Sequence, residues 1–469
     1  MTKIKFGTDG WRAIIAEDFT VKNVARVSEA TAVWLKKNFS QPCSVVVGHD
    51  CRFAGELFAE TVAKVMASHG IKVFLAKDFV STPMISLGTV RTKSALGIII
   101  TASHNPPAYN GFKLKGSYGG PLVPEQVQEI EDIIADDCKV NLTEKSVKDL
   151  TAEGKIEYID LETMYCDHAA ASFDLEAIRN SGLTFAYDAM YGAGQNVIRR
   201  LLPDTTFLHC EYNPSFDGQA PEPIHKNLLE FSEMIKLAGD IDCGLATDGD
   251  ADRIGLYDHE GNFVDSHHII LLLIHYLVKY KKMNGKVCTA FSTTVKIKNM
   301  CAHYNLPLEV VKIGFKYICG IMIKEDVLIG GEESGGIAIK GHIPERDGVW
   351  MGLVIFEFMA KTGKSLRELI DEVYAITGPF AFERNDLHIK EDLKNAIVKK
   401  CKEGQYAAFG PHKVMRTEDL DGWKYFLNEN EWIMIRASGT EPVLRTYAES
   451  DSKDHALAIL EDVKKVLLN

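Results

Sequence analysis

Ser103 lies in the segment Thr-Ala-Ser-His-Asn-Pro at positions 101–106, which combines a nucleophilic hydroxyl with a stiff backbone. Pro106 and Pro107 restrict the backbone there and prevent a helix from continuing. The sequence argues against a serine hydrolase, because it lacks the Gly-x-Ser-x-Gly turn and because a serine and a histidine adjacent in the chain seldom pair as nucleophile and base. On its own the segment is more typical of an ordinary turn, so its interpretation depends on the other motifs.

Asp248, Asp250 and Asp252 alternate along the chain in Asp-Gly-Asp-Ala-Asp-Arg. In extended backbone their carboxylates point the same way, and three hard oxygens in one place favour Mg²⁺ or Ca²⁺. An EF-hand calcium loop is disfavoured, because Arg253 stands at its sixth position instead of glycine and His259 at its twelfth instead of glutamate. The triplet therefore predicts a magnesium site rather than a solvated acidic loop.

Glu332 and Ser334 stand among glycines in Gly-Gly-Glu-Glu-Ser-Gly-Gly at positions 330–336. Glycine lets a backbone approach a ligand closely, and the two side chains offer an acceptor and a donor-acceptor. This combination suits neighbouring sugar hydroxyls. A plain glycine-rich turn is an equal alternative for the segment taken alone.

The segment Arg-Ala-Ser-Gly-Thr-Glu-Pro at positions 436–442 has the composition of an anion-binding turn between two predicted strands. Guanidinium forks, hydroxyls and free backbone N–H groups together hold a dianionic phosphate without a metal. The predicted contributors are Arg436, Ser438, Gly439, Thr440 and Arg445. The alternative, an exposed turn with cross-strand arginines, explains less well why so many small donors occur together.

Three further cations are candidates for contact with an anion. They are Arg12 in Gly-Thr-Asp-Gly-Trp-Arg, Lys113 in Tyr-Asn-Gly-Phe-Lys and Lys316 in Gly-Phe-Lys-Tyr. A structural arginine beside Asp9 and a solvated surface lysine are the alternatives for Arg12 and Lys316. A nucleophile, a metal site, a hydroxyl-binding loop and an anion-binding turn together indicate an enzyme that acts on a phosphorylated, polyhydroxylated substrate.

Each of the first three motifs follows a predicted strand. Strand Ser44–Val47, a helix and strand Ile71–Leu75 form a βαβ unit, which implies a parallel sheet. The apolar strand Leu96–Ile100 runs directly into Thr101, and ligands bind beyond the carboxyl ends of such strands. The same rhythm recurs twice, with Cys243–Thr247 leading to the Asp triplet and Val327–Ile329 leading to Glu332.

The last stretch is predicted to be a smaller α+β domain, with helix Glu391–Lys402, two strands and an amphipathic helix Lys453–Leu468. The predicted domains are 1–150, 151–258, 259–375 and 376–469. They carry, in that order, the serine loop, the metal loop, the sugar loop and the phosphate loop. Polar segments near 137–156 and Thr377–Asn385 are the predicted linkers.

Composition restricts the possible partners. The chain has 469 residues, is 46% hydrophobic and carries a formal charge of −12, which argues against a nucleic-acid surface. The ten cysteines show no Cys-x-x-Cys pair and are interpreted as reduced thiols, as in a cytoplasmic protein. We also expect no membrane association, since the longest apolar stretch, Ile269–Leu277, contains His275.

The four motifs, in this order and spacing, resemble those of the α-D-phosphohexomutases, and the resemblance covers essentially the whole chain. It implies three related α/β domains with mixed sheets and a smaller C-terminal α+β domain around a central cleft, with Mg²⁺ as cofactor. It also implies an isomerase of carbohydrate metabolism that carries Ser103 as phosphoserine. Monomer and homodimer both remain open.

The resemblance further assigns roles to individual residues. Ser103 and the three aspartates would ligate the metal, and His104, Lys113, Arg12 and Lys316 would stabilise phosphate or transfer protons. The residues implied in substrate binding are Arg253, Glu332, Ser334, Arg436, Ser438, Gly439, Thr440 and Arg445. Lys316 and Lys113 are the two alternatives for the general base.

The implied reaction interconverts hexose 1-phosphate and hexose 6-phosphate through a 1,6-bisphosphate, with glucose 1,6-bisphosphate as activator. Gly336 stands where many relatives that accept both glucose and mannose phosphates carry a histidine. This difference favours glucose, with mannose secondary. A phosphoglucosamine mutase, a phosphatase and a non-catalytic phosphosugar-binding protein are the alternatives.

Overall fold

The computed structural model describes residues 3–437 and 443–468. It divides into two compact units. The first comprises Met1–Lys286 and Gly314–Ile370, and the second comprises Val287–Ile313 and Asp371–Asn469. Each unit is described by itself below.

The N-terminal part of the first unit is an α/β layer. In chain order its elements are β1 (Trp11–Ile14), α1 (Val21–Asn38), β2 (Ser44–His49), α2 (Gly55–Ser68), β3 (Lys72–Ala76), α3 (Thr82–Arg91), β4 (Leu96–Ile100), β5 (Tyr109–Gly116), α4 (Pro124–Asp132), α5 (Val147–Ala152) and β6 (Ile156–Ile159). The strand order is β1-β5-β4-β2-β3-β6. Strand β2 is parallel to β3 and β4, whereas β5 is antiparallel to β4, so the sheet is mixed.

Continuous apolar runs place the central strands of this sheet inside the core. Val45, Val47, Ile98 and Ile100 are fully buried, as expected for strands that are covered on both faces. Thr20 caps the start of helix α1, because its side chain accepts a hydrogen bond from the backbone N–H of Asn23. Strand β4 is buried along its whole length and is therefore held firmly in the core. The serine loop begins at its carboxyl end, so the position of the loop is fixed by the core.

A second sheet follows in the same unit. Its elements are α6 (Leu161–Ser172), α7 (Leu175–Arg179), β7 (Phe185–Asp188), α8 (Gln195–Leu201), β8 (Thr206–Leu208), α9 (Leu229–Ala238), β9 (Cys243–Thr247), β10 (Ile254–Asp258) and β11 (Phe263–Val264). The strand order is β11-β10-β9-β7-β8, with β7, β8 and β9 parallel and the β9–β10 pair antiparallel. The Asp triplet forms the connection between β9 and β10.

The third stretch of the chain contributes to both units. Its elements are α10 (Ser266–His275), β12 (Lys286–Ala290), α11 (Lys296–Tyr304), β13 (Leu308–Val311), α12 (Phe315–Met322), β14 (Val327–Gly331), β15 (Ile337–Ile339), α13 (Gly348–Thr362) and α14 (Leu366–Thr377). In the first unit β14 and β15 form an antiparallel hairpin, and Asp347 caps α13 by accepting from the N–H of Trp350. In the second unit β12 and β13 are parallel.

The last stretch is an α+β arrangement in the second unit. Its elements are β16 (Ala381–His388), α15 (Glu391–Lys402), β17 (Ala408–Phe409), β18 (His412–Lys413), β19 (Arg416–Glu418), β20 (Trp423–Phe426), β21 (Trp432–Ala437), β22 (Val443–Ser450) and α16 (Lys453–Leu468). Five strands form an antiparallel sheet in the order β16-β22-β21-β20-β19. Three α/β stretches with mixed sheets and this α+β stretch confirm the predicted fold class.

Two segments that the sequence suggested as linkers are in fact ordered. Strand β16 covers most of Thr377–Asn385 and pairs along its length with β22. Helix α5 lies within 137–156, and its Ser146 and Asp149 form a capping box. Polar side chains concealed both elements, because β16 is a half-buried edge strand without a clear apolar alternation.

All ten cysteines lie in the described residues and are free thiols, as predicted. Within the described ranges no helix combines the length and the apolar character needed to cross a membrane.

Candidate active site

The serine loop follows β4 and holds Ser103 in a strained, buried position. Ser103 has a φ of 53°, in the left-handed region, and is 1% exposed. Its backbone N–H donates to Oγ1 of Thr101 at 2.9 Å. A non-glycine residue in this conformation persists only where its surroundings hold it, and such strain concentrates at functional sites.

Arg52 supplies much of that support, which sequence reasoning did not anticipate. Its buried guanidinium donates to the carbonyl oxygens of Ser103 and Asn105 at 2.6 Å each. It also donates to the carbonyls of Pro106 at 2.9 Å and Tyr109 at 3.0 Å. A planar guanidinium with five donors can bind several carbonyls of one loop at once, so Arg52 fixes the path of the whole serine loop.

The Asp triplet lies directly beside Ser103. Oγ of Ser103 donates to Oδ2 of Asp248 at 2.6 Å, although the two residues are 145 positions apart. A Cβ at Gly249 would lie 2.5 Å from the carbonyl oxygen of Ser103, so a glycine is required for this close approach. The structure therefore brings the predicted nucleophile and the predicted metal ligands into one site.

The triplet is completely buried, and cations of the chain surround it. Asp248, Asp250 and Asp252 are each 0% exposed. Nζ of Lys113 lies 2.7 Å from Asp250 Oδ2 and 3.1 Å from Asp252 Oδ2. Arg346, which the sequence did not identify, places Nη2 at 2.8 Å from Asp252 Oδ2. Without such cations three adjacent carboxylates would repel each other strongly.

The pKa values follow from these neighbours. Burial, followed by the charges of Asp250 and Asp252, raises the pKa of Asp248 well above its usual value. Burial would also raise the pKa of Asp250, but Lys113, the Thr82 hydroxyl and Arg346 together outweigh burial and lower that pKa. Although burial opposes it, attraction to Asp250 and Asp252 raises the pKa of Lys113, so this lysine stays protonated at neutral pH.

The chemistry of the triplet fits a divalent metal. One ligand oxygen from each of the three aspartates lies within 4.8 Å of the others. Oδ1 of Asp250 and Oδ1 of Asp252 are buried and have no hydrogen-bond partner in the described part of the chain. Buried carboxylate oxygens without donors are costly unless a cation satisfies them, and oxygen ligands of this kind suit Mg²⁺. The residues present can therefore hold the implied metal.

Three other predicted residues lie around this centre. Nδ1 of the half-buried His104 is 3.3 Å from Ser103 Oγ, and burial, reinforced by nearby cations such as Arg253, lowers the pKa of His104 well below its usual value. Nη1 of Arg12 donates to Oδ1 of Asn105 at 2.5 Å, and the guanidinium is also attracted by the nearby carboxylate of Asp9. The backbone N–H of Arg253 donates to Asp248 Oδ1 at 3.0 Å.

The predicted sugar loop connects β14 to β15. Glu332 is 5% exposed and accepts a hydrogen bond from the N–H of Gly314 at 2.7 Å. Burial raises the pKa of Glu332 to about 7. Ser334 and Lys316 are half-buried in the same unit, and Nζ of Lys316 lies 5.7 Å from the ring centroid of Tyr317.

The predicted phosphate-binding strands are β21 and β22 in the second unit. Arg436 and Arg445 are directly paired across these strands, with side chains 21% and 31% exposed. Arg436 Nε lies 3.2 Å from Asp421 Oδ1, and Arg445 Nε lies 3.8 Å from Asp386 Oδ1. Like charges opposite each other on a sheet are unfavourable, and a bound anion would relieve the repulsion. Ser438, Gly439 and Thr440 lie outside the described residues.

A serine beside a buried carboxylate metal site, at the strand ends of an α/β fold, is the arrangement of a phosphoryl-transfer enzyme. Comparison with known families makes this class more specific. Four models match the chain in order: the phosphoglucomutase/phosphomannomutase alpha/beta/alpha domains I, II and III at residues 3–140, 163–261 and 265–376, and the C-terminal domain at 393–466.

Relatives match over nearly the full length. The chain is 30% identical to a phosphoglucomutase/phosphomannomutase of Thermococcus kodakarensis, with 97% of this chain and 96% of the relative covered. It is 29% identical to a phosphoglucosamine/phosphogalactosamine mutase of Sulfurisphaera tokodaii, with 98% of each covered. A crystal structure from Thermus thermophilus, provisionally named a phosphomannomutase, aligns with a TM-score of 0.87, 32% identity and 100% coverage of both chains.

The chain belongs to the phosphoglucomutase/phosphomannomutase family, the α-D-phosphohexomutases. It is accordingly an isomerase that acts by phosphoryl transfer, as the resemblance implied.

Proposed function

We propose that this phosphohexomutase interconverts the 1- and 6-phosphates of a hexose through phosphoserine 103 and a 1,6-bisphosphate, with glucose favoured and mannose secondary. The observation that carries the proposal is the 2.6 Å contact between Ser103 Oγ and Asp248 Oδ2 inside the buried Asp triplet. A hydroxyl in that position has a metal site beside it and a rigid loop behind it. Both features serve positioning and charge neutralisation, which phosphoryl transfer requires.

In the proposed reaction the bond between phosphorus and Ser103 Oγ breaks while a bond forms to the free hydroxyl oxygen of the hexose phosphate. The sugar hydroxyl loses its proton to a base, and Ser103 Oγ takes up negative charge next to Asp248. The bisphosphate then reorients so that its other phosphoryl group faces Ser103. That phosphoryl group is transferred to Ser103, and the base gives the proton to the sugar oxygen from which the group departs. The net change is an isomerisation, so no phosphate is consumed.

Charge neutralisation, proton removal and contact with the phosphoryl oxygens are assigned to different residues. Lys113 is held protonated by carboxylates, so we assign it to charge neutralisation rather than to proton removal. Lys316 has no such carboxylate contact in the part of the chain that the structure describes, so it remains the proposed base. Neutral His104 and the Arg12 guanidinium are assigned to the phosphoryl oxygens. When bound at the Asp triplet, Mg²⁺ would supply electrostatic stabilisation of the transferring group.

Binding is assigned to other groups. Glu332 and Ser334 are proposed to contact sugar hydroxyls together with Arg253. Arg436, Arg445 and the segment Ser438–Thr440 are proposed to bind the phosphate that does not react. Because the intermediate carries a phosphate at each end, a trace of glucose 1,6-bisphosphate is expected to act as activator by phosphorylating Ser103. We also propose that the protein is a cytoplasmic monomer or homodimer that binds neither nucleic acid nor membranes.

A hexosamine phosphate is the second candidate substrate. It is favoured by the full-length similarity to a relative named phosphoglucosamine/phosphogalactosamine mutase, which is about as strong as the similarity to the hexose enzyme. The two reactions use the same phosphoryl-transfer groups and differ only in the substituent at the second carbon of the sugar. The choice between them therefore depends on the sugar loop rather than on Ser103.

The test is a competition followed by phosphorus NMR. Purified protein is incubated with Mg²⁺, a trace of glucose 1,6-bisphosphate and equal amounts of glucose, mannose and glucosamine 1-phosphates. Growth of 6-phosphate signals, fastest for glucose, is the expected result. Fastest growth of glucosamine 6-phosphate would favour the second candidate. Orthophosphate alone would indicate a phosphatase, and an unchanged spectrum would indicate a binding protein.

A further inference from the structure

Arg346 connects the sugar loop to the Asp triplet. It stands one residue before Asp347, which caps α13, and its side chain is 6% exposed. Nη2 bonds to Asp9 Oδ2 and lies 2.8 Å from Asp252 Oδ2, and Nε lies 3.5 Å from Glu345 Oε1. Three carboxylates therefore hold this guanidinium in place.

These contacts determine which oxygen of Asp252 is available. Oδ2 of Asp252 is shared between Arg346 at 2.8 Å and Lys113 Nζ at 3.1 Å. Oδ1 of Asp252 has no hydrogen-bond partner among the described residues. Since two cations occupy the same oxygen, the carboxylate cannot rotate without losing both contacts. Its other oxygen is then presented to a metal as a single, fixed ligand.

The stem of Arg346 occupies the space that a side chain at position 336 would need. A Cβ added to Gly336 would lie 2.5 Å from Cδ and 3.0 Å from Cγ of Arg346. A side chain at position 336 would force this stem to shift, which would disturb the contacts of Arg346 with Asp9 and Asp252. Gly336 belongs to the loop of Glu332, whose backbone N–H donates to the Gly336 carbonyl at 3.1 Å.

We propose that Arg346 is a positioning residue that fixes Asp252 in one orientation, and that Gly336 is glycine so that Arg346 can take this position. The consequence is selectivity of the site for Mg²⁺ over Ca²⁺. Mg²⁺ requires near-ideal octahedral geometry, whereas Ca²⁺ accepts irregular and bidentate carboxylates. If Asp252 were free to rotate, the affinity of the site for Ca²⁺ would be unchanged and its affinity for Mg²⁺ would fall. This inference rests on the metal site of the proposed function.

The measured quantity is the ratio of the Ca²⁺ dissociation constant to the Mg²⁺ dissociation constant. It is obtained by calorimetric titration of the full chain, stripped of metal and without sugar, with CaCl₂ and MgCl₂. Because both ions carry the same charge, loss of a nearby cation affects both affinities alike and largely cancels in the ratio. A change in global stability also does not alter it.

Gly336→Ala and Arg346→Met are each expected to lower the ratio by about tenfold, as is typical when a partner that orients a metal ligand is removed. The double variant should lower it no further, because both changes act on one contact. Arg346→Lys should recover part of the ratio, since its ammonium keeps the positive charge but not the fixed planar donor geometry of the guanidinium. Gly320→Ala is the matched control, because a Cβ at Gly320 meets no atom within 4 Å.

Ratios within about twofold of the unchanged chain in both single variants would overturn the proposal, as would an equal loss of affinity for both ions. If Gly336→Ala does not fold, as judged by circular dichroism, Arg346→Met and Arg346→Lys decide the question. A chain with a selective metal site but no isomerisation of sugar phosphates would refute the proposed function and leave this inference standing.

Discussion

Ser103 and the Asp triplet are buried, and the aspartates form ion pairs with Lys113 and Arg346. Arg436 and Arg445, in contrast, are partly exposed and lie opposite each other on neighbouring strands. The first cluster is rigid, since Arg52 holds the loop of Ser103 and cations hold the aspartates. The second pair places two positive charges side by side, with Asp421 at 3.2 Å from Arg436 and Asp386 at 3.8 Å from Arg445. A rigid, dry cluster lowers the barrier of a reaction, while an exposed pair of guanidinium groups mainly supplies affinity.

The largest effect is expected when the proposed nucleophile, Ser103, is removed. Ser103→Ala should lower kcat by at least about 10³-fold, because no other group can carry the phosphoryl. Binding of hexose phosphate, measured by calorimetry, should persist, since the proposed phosphate-binding arginines are untouched. Ser28→Ala is a suitable control, because Ser28 is equally buried and its hydroxyl donates only to the Val24 carbonyl in α1. A near-normal rate for Ser103→Ala would remove the basis for the comparison.

A smaller and different effect is expected at the arginine pair. Arg436→Ala or Arg445→Ala should raise KM for the sugar phosphate by about 10- to 100-fold, the cost of losing a charge-assisted hydrogen bond, with a lesser change in kcat. Arg416→Ala is the control, since Arg416 is an exposed arginine on β19, the edge strand of the same sheet. Steady-state kinetics at fixed ionic strength distinguishes the outcomes. If kcat falls as strongly as after loss of Ser103 while KM stays constant, the two regions do not differ in the way described.

A third effect, on stability rather than on turnover, concerns the pH dependence at Glu332. Burial raises the pKa of Glu332 to about 7, so the unfolded chain releases this proton at lower pH than the folded chain does. Stability is therefore lost as pH rises from about 4.5 to 7, by about 3 kcal/mol at most. Glu332→Gln removes this loss, so its Tm relative to the unchanged chain should rise between pH 5 and pH 8. A constant difference in Tm, or the same trend for the neighbouring Glu333→Gln, would contradict this account.

Local patterns predicted several helices and strands well. Strands β4 and β9 and helices α15 and α16 begin and end where the sequence indicated, because apolar runs and helical periodicity report burial directly. Strand β16 was missed because an edge strand needs few apolar residues. The family resemblance implied that Ser103 and Asp248 meet at one metal, yet no local sequence pattern gives the distance between two residues so far apart in the chain.

The supporting charges could not be predicted. Arg52, Lys115 and Arg346 resemble ordinary surface residues in the sequence, and only the fold shows that each is buried. Most of their partners are far away in the chain, as in the contact between Lys115 and Glu345 at 2.7 Å. Glycines were the sequence feature that could have indicated these contacts. At Gly249 and Gly336 another group approaches too closely for a side chain to fit.

The most direct test of the central claim follows a phosphoryl group on and off Ser103. The chain is incubated with Mg²⁺ and glucose 1,6-bisphosphate, digested and mapped by mass spectrometry, with a parallel sample chased by excess hexose 6-phosphate. The account predicts one phosphoryl group on the peptide that contains Ser103, and its disappearance into bisphosphate during the chase. A phosphoryl group on another residue, or one on Ser103 that the chase does not remove, would contradict it.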